Sequence, residues 1–206
     1  MPLDPTRCFT GPRVRLELLR REHASSLLAY RRRNLAFLRP FEPLQDERQL
    51  HHQEQEALIA GYLERAAHDQ GYHFGIFLQR DGALIGRFNL NNVVRGVFQN
   101  AYVGYALDEE HQGQGLMTEA VALGCEVGFR VLELHRLQAA TLTWNRASQR
   151  VLEKNGFRRE GFAPGYLKIA GHWQDHIIFA RRVDQGMEPE DAPQDETARG
   201  RPGSCG

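Results

Sequence analysis

Residues 104–120 read Gly-Tyr-Ala-Leu-Asp-Glu-Glu-His-Gln-Gly-Gln-Gly-Leu-Met-Thr-Glu-Ala, and the interpretation of the whole chain depends on this stretch. It begins with the apolar alternation of a strand, passes through Gly113 and Gly115, and continues from about Leu116 with the pattern of a helix. The first amide groups of a helix have no carbonyl partner within it, and the helix dipole is positive at that end. The stretch is therefore a candidate phosphate site. An ordinary strand–loop–helix connection would use the same residues.

Composition narrows the class of protein. The 206 residues include 26 basic and 26 acidic side chains, and this balance argues against a dedicated nucleic-acid-binding protein, which needs excess positive charge. Cys8, Cys125 and Cys205 show neither metal-like spacing nor a disulfide framework, so we predict no metal site. The sequence has no apolar signal core and no run long enough to cross a membrane, which predicts a cytoplasmic protein.

Strands and helices are mixed along the chain, with hairpins in the middle. Periodicity predicts strands at 13–19, 72–79, 83–94, 100–107 and 136–143, and shorter strands near 157–163, 166–169 and 173–181. It predicts helices from Glu22 to Arg33, from Asp46 to His68, at 116–131 and at 146–155. We expect Arg31, Arg32 and Arg33 to form a solvated helix end. The predicted class is α+β, with a mixed, mostly antiparallel sheet flanked by helices.

We assign residues 1–185 to one domain. From Gly186 onward, prolines and glycines are mixed with acidic residues and no apolar period, so we predict a disordered acidic tail over 186–206.

With this order of elements, the chain resembles the GNAT N-acetyltransferases. The acetyl-CoA signature of that family, Gln/Arg-x-x-Gly-x-Gly/Ala, corresponds to Gln112-Gly113-Gln114-Gly115-Leu116-Met117, with Met117 replacing a small residue. Over about residues 10–182, further pieces are similar to the RimJ-type ribosomal-protein-alanine N-acetyltransferases: Asn92-Val93-Val94-Arg95-Gly96, Tyr102-x-Gly104-Tyr105, Gly115-Leu116-Met117-x-Glu119-Ala120, His135-Arg136, Asn145-x-x-Ser148, Gly156-Phe157-x-x-Glu160-Gly161, Tyr166-Leu167-x-Ile169 and Gly171-x-Trp173-x-Asp175-His176.

The resemblance implies how acetyl-CoA is held. Main-chain amides of the turn would bind its pyrophosphate, from Gln112, Gly113, Gln114, Gly115, Leu116, Met117 and Thr118. We expect the Met117 side chain to point into the core. Main-chain groups of Tyr105, Ala106 and Leu107 would bind the pantetheine arm, which enters where strands 100–107 and 136–143 diverge, and the Leu107 amide would face the thioester carbonyl.

Asn145 and Ser148 complete the cosubstrate site that the resemblance implies. Asn145 would bond an amide of the arm, and Ser148 would stabilise or protonate the departing thiolate. Both residue types also suit the first turn of a helix, so capping is the alternative role.

The acceptor side is less defined by the sequence. A protein α-amino group has a pKa of roughly 7.7–8.0, against roughly 10.4 for lysine, so a weak base is sufficient for an α-amine. Glu109, at the mouth of the turn, and Asp175, on the last strand, are the candidate bases. Arg95, Tyr166 and Trp173 are candidate acceptor-binding residues, although Arg95 could instead support a turn and the two aromatic residues could pack on the sheet.

We therefore predict an acetyl-CoA-dependent enzyme that acetylates a protein N-terminus by direct attack in a ternary complex. By resemblance, the acceptor is an alanine-starting ribosomal small-subunit protein; no nucleic acid or membrane is expected as a direct partner. The alternatives are acetylation of a small amine, such as an antibiotic or polyamine, and a non-catalytic acyl-CoA-binding module in ribosome assembly.

Overall fold

The computed structural model describes residues 3–44 and 50–183. The tail predicted at 186–206 lies outside these residues, and so does Asp46, where the second helix was predicted to start. None of the described helices is both long enough and apolar enough to cross a membrane.

One mixed sheet organises the described part of the chain. Its strands are β1 (Cys8–Thr10), β2 (Val14–Leu18), β3 (Gly71–Leu78), β4 (Leu84–Val94), β5 (Asn100–Leu107), β6 (Arg136–Leu142), β7 (Arg158–Ile169) and β8 (His172–Arg182). Their spatial order is β1-β2-β3-β4-β5-β6-β8-β7. Every neighbouring pair is antiparallel except β5 and β6, which are parallel. The predicted α+β class with a mostly antiparallel sheet is confirmed.

Helices cover both faces of this sheet. They are α1 (Ala24–Leu38), α2 (His52–Ala67), α3 (Leu116–Glu126) and α4 (Arg146–Lys154). Short 3-10 turns occupy Arg21–His23, Arg39–Phe41 and Glu109–His111, and a π-helical turn at Val127–Val131 continues α3. All residues of β3 are buried, as expected for a strand with helices on both sides.

Two apolar clusters fill the space between sheet and helices. The larger cluster includes Phe88 and Leu107 from the sheet and Met117, Ala120 and Val121 from α3. Met117 is thus in the core, as its position in the turn predicted. The smaller cluster lies under α1 and α2 on the other face and includes Leu27, Tyr30, Ile59, Phe77 and Leu84.

The arginine triplet differs from the prediction. Helix α1 continues beyond Arg33 to Leu38, and Arg31 is buried rather than solvated. Tyr30, Asn34 and Leu38 are buried on the same helix, so the helical period carries the packed face through the charged triplet. Arg32 and Arg33 are exposed, as expected, although Arg33 also forms an ion pair with Asp108.

Two other differences lie at the ends of the sheet. The short predicted strands after 157 form one long hairpin, β7 and β8, whose pairing is irregular between Ala163 and Leu167. Strand β1 was not predicted, because its three residues are too few to show a period. The predicted strands at 13–19, 72–79, 83–94, 100–107 and 136–143 match β2 to β6 within one residue at each end.

The parallel pair β5–β6 is joined at one end only. The paired residues are Asn100 with Arg136, Ala101 with Leu137 and Tyr102 with Gln138. Beyond Tyr102 the two strands diverge, and the sheet opens into a wedge that widens toward Leu107. Residues of β5 and of the start of α4 line this wedge.

Candidate active site

The loop from β5 into α3 is built around two left-handed glycines. Gly113 has φ +75° and Gly115 has φ +76°, a region that side chains other than glycine rarely adopt. The first main-chain bond of α3 runs from the Glu119 amide to the Gly115 carbonyl (3.2 Å). The amides of Leu116, Met117 and Thr118 therefore precede the helical bonds and point out of the end of α3.

Glu119 and Arg13 fix this turn to the edge of the sheet. The Glu119 carboxylate accepts the Arg13 amide (2.7 Å), the Val14 amide (3.0 Å) and Nε of Arg13 (2.9 Å). The Arg13 guanidinium also donates to the Gln114 carbonyl (2.8 Å). Partial burial alone would raise the pKa of Glu119, but the two amides and the guanidinium hold it below its usual range. The turn is thus anchored by an ionised carboxylate.

A second anchor holds the end of β5. Asp108 is buried, and its carboxylate accepts Nε of Arg33, whose terminal nitrogen donates to the Leu84 carbonyl. The Asn34 side chain accepts the Glu109 amide (2.9 Å). Helix α1 therefore determines where the strand ends and the turn begins.

A cavity of about 370 Å³, here called the turn cavity, lies at the end of α3. Its lining residues are Leu107, Gln112, Gly113, Gly115, Leu116, Met117, Thr118, Ala147, Arg150, Val151 and Lys154. Arg150 and Lys154 lie one helical turn apart on α4 and add positive charge to the free amides of α3. Neither residue was predicted from the sequence, although two cations four residues apart, directly after the Asn-x-x-Ser motif, indicate a shared helix face.

The main chain of β5 faces the wedge at alternate residues. The Asp108 amide donates to the Ile85 carbonyl (2.8 Å), which sets the alternation of the β4–β5 ladder. Leu107 lies opposite Gly86 and Tyr105 opposite Phe88, two positions at which the amide turns away from β4. Both amides point toward the side from which β6 has diverged. This is the orientation that the predicted main-chain contacts of Tyr105 and Leu107 require. Ala106, opposite Arg87, turns its amide and carbonyl toward β4, so this geometry does not provide the main-chain contact predicted for Ala106.

A second cavity, here called the wedge cavity, occupies the space between β5 and the start of α4. Its volume is about 350 Å³, and it is lined by Phe37, Leu38, Phe41, Glu42, Tyr105, Ala106, Leu107, Gln112, Met117, Asn145, Ala147, Ser148 and Val151. Within it, the Tyr105 hydroxyl lies 2.9 Å from the Ser148 hydroxyl and donates to the Ser148 carbonyl (3.1 Å). Burial raises the pKa of Tyr105, and its bond with Ser148 opposes only part of that effect, so the phenol stays protonated.

Asn145 takes the capping role and lines the wedge cavity as well. Its side-chain oxygen accepts the Ser148 amide (3.1 Å) at the start of α4. The side chain of Gln149 donates to the Leu142 and Thr143 carbonyls (3.2 and 3.0 Å), and Asn155 donates to the Thr118 carbonyl (3.1 Å). Helix α4 is thus tied to both β6 and α3, which keeps Ser148 in position opposite Tyr105.

A third cavity, the outer cavity, opens on the other face of β4 and β5. Its volume is about 580 Å³, and it is lined by Arg31, Glu42, Pro43, Leu44, Arg87, Asn89, Asn91, Gly104, Tyr105, Ala106, Leu167, Lys168 and Ile169. Glu42, Tyr105 and Ala106 line both the outer cavity and the wedge cavity. The two cavities therefore meet at this point, so that a donor and an acceptor could approach from opposite sides.

The predicted acceptor-side residues lie away from these cavities. Glu109 is exposed on its 3-10 turn, and Asp175 is exposed and accepts the Gly165 amide (2.7 Å) across the β7–β8 hairpin. Arg95 pairs with Asp69 and donates to the Leu132 carbonyl, so it supports the turn after β4. Trp173 is 68% exposed, and Tyr166 rests against His176. The structure brings the cosubstrate candidates together but none of these five residues with them.

Known proteins resemble this chain over most of its length. Residues 13–158 match the sequence profile of the acetyltransferase (GNAT) domain. The probable N-acetyltransferase YjcK of Bacillus subtilis is 48% identical over 122 residues, which cover 59% of this chain and 67% of that protein. The [ribosomal protein uS5]-alanine N-acetyltransferase of Escherichia coli is 34% identical over 172 residues, which cover 84% of this chain and 89% of that protein.

A solved structure with a bound ligand shows the same fold. RimJ of Mycobacterium smegmatis, in complex with CoA-disulfide, superposes with a TM-score of 0.81 at 29% identity. The match covers 90% of this chain and 88% of that protein. The wedge and the glycine turn therefore belong to a fold that binds CoA in a similar protein.

Proposed function

Because this chain belongs to the GNAT acetyltransferase family, we propose that it acetylates the N-terminal α-amine of a protein, with an alanine-starting ribosomal small-subunit protein as acceptor. The enzyme is an acetyl-CoA-dependent N-acetyltransferase of the RimJ/RimL type, and acetyl-CoA is the acyl donor. One observation carries the proposal: the wedge cavity and the outer cavity meet at Tyr105 and Ala106.

The donor side combines main-chain groups with a few side chains. The free amides at the start of α3 suit the pyrophosphate, together with the hydroxyl of Thr118 and the cations Arg150 and Lys154. The outward-facing amides of Tyr105 and Leu107 suit the pantetheine arm and the thioester carbonyl. An amide that donates to this oxygen stabilises the negative charge that develops there during acyl transfer.

The chemical step is a direct attack of the amine on the thioester carbon. The new C–N bond forms as the C–S bond breaks. The ammonium group of the acceptor carries three protons and the product amide carries one, so the nitrogen loses two protons. One proton goes to a base on the acceptor side, and the other balances the thiolate, which takes up a proton through the Ser148 hydroxyl. Tyr105 stays protonated and donates to the Ser148 carbonyl, so it holds Ser148 in place without giving up its own proton.

A polypeptide terminus suits the acceptor side better than a small amine. The outer cavity is larger than the wedge cavity, about 580 against 350 Å³, and it is open along the face of β4. Asn89 and Asn91 carry amide groups that can both donate to and accept from an extended main chain. Leu44 and Leu167 offer apolar contacts to its side chains. The E. coli relative named above acts, by its name, on an alanine terminus.

Thiol release with acetyl-CoA tests the proposal in vitro. The acceptors are an alanine-starting peptide, the same peptide with a blocked terminus and an internal lysine, spermidine, and an aminoglycoside. We expect turnover on the first only. Turnover on spermidine or the aminoglycoside alone would replace the proposal with small-amine acetylation, and tight acetyl-CoA binding without turnover on any acceptor would indicate a binding module.

The acceptor protein is identified in cells. Protein N-termini are compared by mass spectrometry in cytoplasmic extracts of cells with and without the gene for this chain. We expect acetylation of an alanine-starting ribosomal small-subunit protein to disappear without the gene. If no ribosomal terminus changes, that acceptor is wrong, whereas the assignment as an acetyltransferase is unaffected.

A further inference from the structure

We propose that Glu42 binds the acceptor ammonium group and takes its proton, while Arg87 positions the Glu42 carboxylate. The inference rests on the proposed function and identifies the acceptor-side base that the reaction requires. It concerns a residue that the sequence motifs did not indicate.

Glu42 stands where the donor and acceptor sides meet. It follows the 3-10 turn Arg39–Phe41, and its carbonyl accepts the Ala170 amide (2.9 Å) at the tip of the β7–β8 hairpin. Its side chain is 14% exposed and lines both the wedge cavity and the outer cavity. Among the described residues that line the three cavities, Glu42 supplies the only carboxylate.

Arg87 holds this carboxylate against the reacting segment of β5. Its guanidinium forms a hydrogen-bonded ion pair with one oxygen of Glu42, and both side chains are largely buried. Arg87 is also the register partner of Ala106, the residue between Tyr105 and Leu107. The ion pair therefore lies beside the outward-facing amides of β5. The two oxygens of a carboxylate offer about four acceptor positions, so Glu42 can accept from an ammonium group in addition to the partners that it already has.

The surrounding charge confines an ammonium group to Glu42. The nearby cations are Arg87 on β4, Arg31 on α1 and Lys168 on β7, all of which line the outer cavity and repel a positive acceptor. Two phenols lie near the ion pair, those of Tyr30 on α1 and Tyr62 on α2. Tyr105 on β5 lines the wedge cavity. Burial alone would lower the pKa of Arg87, but the Glu42 carboxylate raises it, so the Arg87 guanidinium remains charged.

The proton balance closes with Glu42 as base. The acceptor arrives as R–NH₃⁺ and gives one proton to the Glu42 carboxylate. The neutral amine attacks the thioester carbon, the C–S bond breaks, and the second proton balances the thiolate as described above. The products are the amide and the free thiol, and Glu42 returns its proton to water through the open outer cavity.

Glu42→Gln is the direct test, because glutamine keeps the size and can still accept from Arg87. The assay measures kcat/KM for the alanine-starting peptide and the affinity for acetyl-CoA. We expect kcat/KM to fall by about 10-fold at pH 7, the factor by which Glu42 would raise the neutral fraction of the bound amine, with acetyl-CoA affinity unchanged. The deficit narrows toward pH 9, because roughly a tenth of an α-amine is neutral at pH 7 and most of it at pH 9. Glu64→Gln, an exposed carboxylate on α2, is the matched control.

The double variant Glu42→Gln/Arg87→Gln separates chemistry from charge neutralisation. If Glu42 only neutralises Arg87, removing both charges restores activity. If Glu42 is the base, the double variant stays as slow as Glu42→Gln. Restored activity would overturn the proposal, and so would a deficit that is constant with pH.

The remaining outcomes separate this inference from the proposed function. If the wild-type protein acetylates the peptide and Glu42→Gln does so at the same rate, the role of Glu42 is wrong and the proposed function stands. An equal loss in Glu109→Gln or Asp175→Asn, with Glu42→Gln active, moves the base to that residue. Absence of wild-type turnover on every amine contradicts both proposals.

Discussion

Substituting Gly124 by alanine tests how tightly α3 rests on the sheet. A Cβ atom at this position would lie 2.1 Å from Cζ of Phe88 and 2.3 and 2.6 Å from its ring Cε atoms. Phe88 is fully buried in β4, and its ring also packs against Phe74, with centroids 6.3 Å apart. Because a normal contact is about 3.5–4 Å, either the helix or this buried ring must shift by more than about 1 Å.

The sign of the effect follows from two opposing terms. Alanine is a better helix former than glycine by about 1 kcal/mol. Overpacking a well-filled core costs about 1–3 kcal/mol, and a 2.1 Å contact in a fully buried site belongs at the upper end. The net loss is about 2 kcal/mol, which lowers Tm by roughly 4–8 °C in a chain of this size.

Gly61→Ala on α2 is the matched control, because nothing lies within 4 Å of a Cβ atom there. The same substitution should stabilise that helix by about 1 kcal/mol and raise Tm by roughly 2–4 °C. Thermal unfolding followed by circular dichroism measures both. A Gly124→Ala protein that melts at or above the wild-type temperature would refute the packing of α3 on Phe88 described here.

Three further predictions concern the site. Ser148→Ala should lower kcat by about 100-fold through loss of the hydroxyl that protonates the thiolate, with acetyl-CoA affinity retained; an unchanged kcat would remove Ser148 from the chemistry. Arg150→Gln combined with Lys154→Gln should weaken acetyl-CoA binding and flatten its salt dependence, whereas the KM for S-acetyl-pantetheine, which lacks the nucleotide phosphates, should not change; equal loss with both donors would refute the phosphate role. Glu119→Gln should lower the free energy of unfolding at pH 7 by about 1–2 kcal/mol. Since the pKa of Glu119 is held below its ordinary value of 4.5 in the folded protein, its contribution is present above that value and disappears as the pH falls through the folded pKa, so urea unfolding at decreasing pH should show the two proteins converging.

The strand–turn–helix arrangement of the candidate donor side could be predicted from sequence because it is local. The strand, the two glycines and the start of α3 are contiguous, and main-chain geometry follows from their order. Asn145 and Ser148 are also only three residues apart, and their capping bond appears as the spacing suggests. What the sequence could not give was that Ser148 meets Tyr105, a contact across 43 positions of the chain.

The acceptor side could not be predicted, because it is assembled from distant segments. Glu42 lies between two prolines, in a stretch whose only local signal is interrupted secondary structure. Its significance depends on Arg87, 45 positions away, and on the divergence of two strands still further along the chain. The burial of Arg31 could not be predicted for the same reason. Three consecutive charged residues predict solvent exposure unless the sheet against which the helix packs is known.

The divergence of β5 and β6 has a consequence for the sheet as a whole. A strand with unpaired main-chain groups normally lies at the outside of a sheet, where another chain can add to it. Here such an edge lies inside the sheet, between strands that remain joined at Asn100 to Tyr102. The wedge closes at these three pairs, so another strand has no room to pair along β5. A thin, flexible chain can enter from the open end. The fold thus contains unpaired strand groups that a thin ligand can reach but that do not promote aggregation by strand addition.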